Sequence, residues 1–188
     1  MDLRQAIRQR RSIRDFQDRP VERAVLEGLI REAVWAPSAM NTQPWVFHVV
    51  SGASRDRLCK IMSRAFERLR PRLEALFKKS MVGMIRGYFT HFGNAPHLVV
   101  VTTERLDVPE YQEGAVQSVS AAIQNFSLLA HEAGLGTCWM TGPLWVAREV
   151  EAFLGVPERR LVAVLTVGWP AQEPPVPPRR EGAVVWVE

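Results

Sequence analysis

The sequence predicts one domain in which helices and strands are mixed, without the regular strand–helix–strand alternation of a parallel α/β sheet. Three observations carry this. Apolar residues recur at the helical period in two N-terminal segments and in one long segment after residue 110. Between them, short runs rich in β-branched residues read as strands. The length of 188 residues suits a single domain (1–188), and 47% hydrophobic residues suffice for a core without disulfide or metal.

In chain order, residues 2–11 place Leu3, Ala6 and Ile7 on one helical face, with Asp2 available as a cap. Residues 21–35 repeat the pattern through Val25, Leu26, Leu29, Ile30, Ala33 and Val34, and Pro37 stops this second helix. Trp45–Ser51 reads as a strand ended by Gly52. Residues 54–80 form a basic amphipathic stretch, expected as two helices broken at Pro71, and residues 81–93 continue as helix. His97–Thr103 reads as a buried strand. Residues 111–133 give the strongest helix, its small residues suited to close packing, and Gly134 ends it. A short strand at Thr137–Met140, a helix at 146–154 and a buried strand at Leu161–Trp169 follow. Residues 170–178 are proline-rich and are expected as an extended arm. Ala183–Val187 then reads as a terminal strand, delivered by that arm to the sheet of another subunit.

Several function classes are set aside by composition. Cys59 and Cys138 form no CxxC pair, and His48, His91, His97 and His131 are scattered, so no metal site is expected. The chain opens without an apolar leader, its apolar runs are shorter than a bilayer span, and a cytoplasmic protein with no membrane partner is expected. The net charge of +4 rests on arginine, since Lys60, Lys78 and Lys79 are the only lysines. Basic residues do not alternate with aromatic ones as in a nucleic-acid groove, so no nucleic-acid partner is expected.

Three segments carry chemistry. In Arg10–Arg11–Ser12–Ile13–Arg14, alternate residues of an extended chain would point a guanidinium, a hydroxyl and a second guanidinium one way. Such a set suits a phosphate monoester. Between Ala36 and Trp45, Pro37 and Pro44 bracket the polar run Ser38–Ala39–Met40–Asn41–Thr42–Gln43, a stiff loop suited to ligand contact. The glycines of Gly134–Leu135–Gly136–Thr137–Cys138–Trp139–Met140–Thr141–Gly142 follow a helix and precede a strand. That is the reverse of a dinucleotide-binding turn, and Trp139 stands where the third glycine would be.

Taken together, RRSIRDF at 10–16, APSAMNTQPW at 36–45, QNFSLLAHEAGLGTCWMTG at 124–142 and VGWP at 167–170 resemble the nitroreductase family along nearly the whole chain. The resemblance implies an α+β fold, a mixed β-sheet flanked by helices, in an intertwined homodimer whose C-terminal strand is exchanged between subunits. It implies two FMN sites at the subunit interface, with NAD(P)H as electron donor and a nitroaromatic, quinone or similar small molecule as acceptor in a ping-pong cycle. Arg10, Arg11, Ser12 and Arg14 would hold flavin, the first residues at the phosphate and Arg14 at the pyrimidine edge. Pro37, Ser38, Ala39, Asn41 and Gln43 would come from the other subunit. Trp139, Met140, Thr141 and Gly142 would lie along the ring, with the backbone N–H of Thr141 near flavin N5. Arg179 and Arg180 would close on the phosphate. The chain is somewhat shorter than the best-known members, with a reduced or altered excursion between residues 54 and 95, the region that shapes the substrate channel in the family. Three other readings stay open: a dimethylbenzimidazole synthase-like or dehalogenase-like enzyme of the same fold, a flavin store or sensor, and a basic nucleic-acid binder.

Overall fold

Asp2 starts the first helix with a reciprocal cap: its carboxylate accepts from the Gln5 amide at 2.8 Å, and the Gln5 side chain accepts from the Asp2 amide at 3.4 Å. The computed structural model, which describes residues 1–188, continues from this helix, α1 (Leu3–Gln9), to α2 (Arg23–Ala33), β1 (Val46–Ser51), α3 (Gly52–Ser63), α4 (Ala65–Leu76) and α5 (Lys79–His91). Then come β2 (His97–Glu104), α6 (Pro109–Glu132), β3 (Gly136–Met140), α7 (Ala147–Leu154) and β4 (Arg159–Gly168).

The strands form one sheet in the order β1-β2-β4-β3, every neighbouring pair antiparallel. Where a mixed sheet is expected, the four strands are antiparallel; the one parallel pairing is an isolated bridge, Ser12 with Thr137, which lays the N-terminal segment along the outer side of β3. The central strands are buried on both faces, which is why they read as unbroken apolar runs. Successive residues of β2 serve opposite cores. Val99 and Val101 pack with Val119, Ile123 and Phe126 of α6 and Leu26 of α2. Leu98 and Val100 pack with Leu58 and Met62 of α3 and Phe89 of α5. Val162 in β4 faces no residue of β2, because Val101 pairs with Ala163 and Thr102 with Leu161. This bulge turns the first residues of β4 over by one face.

Two elements differ from expectation. The helical stretch after residue 52 breaks at Arg64, whereas Pro71 lies inside α4. The turn at Arg64 lets Met62 of α3 and Ala65 and Phe66 of α4 enter the same core. Pro71 and Glu67 are both on the exposed side, so the carbonyl that proline leaves unpaired is open to water. Residues 183–187 form no strand within this chain; Val184 to Val187 are exposed, Trp186 at 86%. No helix is long and apolar enough to cross a membrane.

Candidate functional site

The N-terminal segment reaches β3 because α1 ends at Arg10, whose ψ of 130° turns the chain extended. The Ile13 amide then donates to the Thr137 carbonyl at 2.9 Å, and Ile13 buries against Phe16 and Ala95. This fit needs Gly136, where a Cβ would stand 2.8 Å from the side chain of Ile13. With Ile13 turned inward, Arg10, Ser12 and Arg14 gather about Cys138. Burial pushes the Cys138 thiol up, while Arg14, Tyr88, Arg10 and Ser12 pull it partly back.

Around Arg10 the charge is one-sided. Burial holds its guanidinium below the ordinary value, and the cations of Arg11 and Arg179 add to that, against a smaller upward pull from Cys138. His131 is lowered by burial and then by the same Arg10 and Arg11. Arg10, Arg11, Arg14, Arg179 and Arg180 take part in no ion pair. Arg10, Arg11 and His131 line a cavity of about 470 Å³ closed by the arm at Pro170–Val176, with Glu173 its one carboxylate. Arg11 Nε and His131 Nε2 are buried there without partners. Crowded cations and orphaned polar atoms fit a multiply charged phosphate, which would relieve both costs.

Beside Arg14 a second cavity, about 530 Å³, opens between β3 and α5. Cys138, Trp139, Met140 and Gly142 form one wall; Met81, Met84, Ile85, Tyr88 and Phe89 of α5 form the other. Gly142 admits Phe89 here, since a Cβ would stand 2.7 Å from its ring. The Tyr88 hydroxyl sits 3.3 Å from Met140 Sδ and 3.4 Å from Thr166 Oγ1, and burial raises the phenol far above its ordinary range. Because the Thr137 carbonyl points away from β4 to meet Ile13, strand alternation turns the amides of Trp139 and Thr141 outward too. No acceptor within the chain takes the Thr141 amide.

The loop at 37–43 is built differently and stands elsewhere. Met40, Asn41 and Gln43 all have positive φ, at 50°, 55° and 47°, an uncommon concentration for residues other than glycine. Its anchors are side chains: Ser38 Oγ accepts from the Gln43 amide at 3.1 Å, and Ser118 Oγ of α6 accepts from the Ala39 amide at 3.2 Å. The Gln43 side chain donates to Asn41 Oδ1 at 3.2 Å, and Pro37, Ala39, Asn41 and Gln43 are exposed. Pro44 is tied to Arg159, at the start of β4, whereas Ser12 lies beside Thr137, which pairs with Val167 near its end. Eight residues of strand separate the two, roughly 25 Å. One chain therefore does not bring Pro37–Gln43 to the arginine cluster. Arg179 and Arg180 lie on the exposed arm, Arg179 donating to the Pro177 carbonyl at 3.1 Å.

Sequence reasoning placed the stretch 54–95 at the substrate channel but did not name the α5 wall, although Met81, Met84, Ile85 and Tyr88 are spaced three and four apart, as one helical face requires. It also missed His131, Ser118 and Arg159, which carry no local signal.

The chain matches the Nitroreductase family model over residues 7–169. An iodotyrosine deiodinase from Thermotoga neapolitana is 33% identical over 184 residues, covering 93% of this chain and 91% of the relative. The nitroreductase NfnB of Mycolicibacterium smegmatis is 29% identical over 203 residues, 90% of this chain and 85% of the relative. Among solved structures, a mutant of the FMN and NADPH-dependent nitroreductase NfnB from sphigopyxis sp. strain HMH superposes with a TM-score of 0.81 at 26% identity, covering 99% of both chains. Cradle, slot and sheet thus accompany a match along nearly the whole sequence: the chain belongs to the nitroreductase family.

Proposed function

We propose that the protein is an FMN-dependent oxidoreductase, working as a homodimer, that takes electrons from NAD(P)H and passes them to a nitroaromatic, quinone or similar small acceptor. The observation that carries this reading is the adjacency of two cavities that meet along β3. One holds unpaired arginines and suits a phosphate; the other is an open apolar slot and suits a flat ring. Bound FMN would supply the redox chemistry, two-electron exchange with nicotinamide and acceptor in alternation, which implies ping-pong kinetics.

The chain's own residues bind and orient. Arg10, Arg11 and Ser12 hold the phosphate end, with Arg179 and Arg180 closing over it. Arg14, an exposed residue lining the slot, would favour an anionic ring edge through its charge. Trp139 to Gly142 would hold the ring, and the outward Thr141 amide would be a donor available to it. Pro37, Ser38, Ala39, Asn41 and Gln43 reach the site from the second subunit, which accounts for their distance from Arg10 within one chain. The exposed strand-forming end at 183–187 packs on that subunit in return.

One feature favours this reading over a deiodinase-like one. Arg14 is the only charged residue lining the slot. A zwitterionic aryl amino acid is best held by a carboxylate at its ammonium group, and this wall supplies no carboxylate. Neutral or anionic aromatic acceptors need no such partner.

A visible spectrum of the purified protein, with NAD(P)H titration under exclusion of oxygen, tests the proposal. Flavin bands should bleach with NAD(P)H and return on addition of a quinone or nitroarene. A protein that neither carries nor takes up FMN overturns it; bound flavin that NAD(P)H fails to reduce points to a store or sensor.

A further inference from the structure

We infer that Arg159 is a positioning residue for the flavin site: it clamps the strained loop at 37–43 in the shape that the second subunit's cofactor meets. The inference rests on the proposed function and extends it to a residue about 25 Å from the chain's own arginine cluster.

Arg159 opens β4, half-buried at the end of the sheet. Its guanidinium spans two elements: Nη2 donates to the Pro44 carbonyl at 2.7 Å, and Nε donates to Thr102 Oγ1 of β2 at 2.8 Å. Thr102 Oγ1 is held in turn by His48 Nε2 of β1 at 3.1 Å. Nη2 also donates to the Thr102 carbonyl at 3.4 Å, and with no carboxylate partner all three bonds of Arg159 lead to the loop end and to the sheet. Pro44 directly follows three residues with positive φ among four, a backbone that persists only when its surroundings over-determine it. Ser118 pins Ala39 at the loop's other end.

The bulge at Val162 makes this possible. Without it, alternation would turn Arg159 to the face of Val99 and Val101. With it, Arg159 shares the face of Leu161 and Thr102, where the Pro44 carbonyl lies. A bulge whose effect is to aim one arginine at the root of a strained, exposed loop is placed for that loop's geometry.

The test compares Arg159→Met and Arg159→Lys with the wild-type dimer, measuring FMN affinity by quenching of flavin fluorescence and apoprotein Tm in parallel. Leu58→Ala, a core truncation on α3 remote from the loop, controls for stability. Arg159→Met should weaken FMN binding roughly ten- to a hundredfold, the scale of a lost charge-assisted hydrogen bond. Arg159→Lys, which keeps one donor for the Pro44 carbonyl, should recover part of that. Leu58→Ala should lower Tm and leave affinity within about twofold. Arg159→Met with wild-type FMN affinity, or a Leu58→Ala loss of affinity matching it, overturns the clamp. Failure of the wild-type protein to bind FMN overturns instead the functional reading on which the clamp rests.

Discussion

Arg10 and Cys138 sit within reach of one another and meet opposite expectations. Arg10 is crowded by Arg11 and Arg179 and has no carboxylate partner, so an anion in its cavity gains a charge-assisted bond. Arg10→Ala should weaken FMN binding by about one to two decades; a flavin titration with unchanged affinity would remove Arg10 from the site. Cys138 is 3% exposed, packs in the second core, and has its thiol held up by burial. It should act as a small packing residue, not a nucleophile. Cys138→Ala should keep the rate of flavin reduction by NAD(P)H within a few-fold, whereas a collapse with FMN still bound would restore a thiol mechanism. The arginines of 10–14 were legible because an extended chain alternates its side chains and only a few residue types suit a phosphate. Arg159 was not legible. Its direction depends on a bulge three residues further along, and a bulge is settled by the partner strand.

Among the elements, long periodic helices and β-branched strands could be read from the chain, because each buries a stripe or a face that its own spacing declares. The breaks were harder. Proline is the strongest local signal between residues 54 and 80, yet the helix turns at Arg64, where packing of Met62, Ala65 and Phe66 sets the path. Pro71 thus remains as a local conflict inside α4. Pro71→Ala should restore a donor to the Glu67 carbonyl and stabilise the protein by roughly 1–3 kcal/mol. Thermal unfolding should shift upward by roughly 2–12 °C; an unchanged or lower Tm would mean that the ring contributes packing beyond the helix itself. The apolar face of α5 escaped notice for a related reason. Its methionines look like ordinary core residues until β3 is set opposite them.

At the level of the whole molecule, the single chain leaves two things incomplete: the arm ends in exposed apolar residues, and the loop at 37–43 stands far from the arginines. Both would be met by the proposed two-fold dimer, in which the arms are exchanged. Removal of residues 171–188 should therefore abolish dimerisation and flavin content together, as read by light scattering and absorbance. A truncated protein that stays dimeric with full flavin would reduce the arm to a tail. The distance along the sheet between Pro44 and Ser12 has a consequence of its own, in the language of genetics. In the proposed dimer each site would draw its arginines from one polypeptide and its loop from the other, so defects in the two should complement in trans. An Arg10→Ala chain and a chain with Asn41 replaced by Pro would each form dimers whose sites all hold flavin weakly. Co-expressed, they would pair at random, and every heterodimer would contain one wholly intact site beside one doubly defective site. About a quarter of all sites should then recover flavin and turnover. Sites assembled within single chains would recover nothing, however the two were mixed.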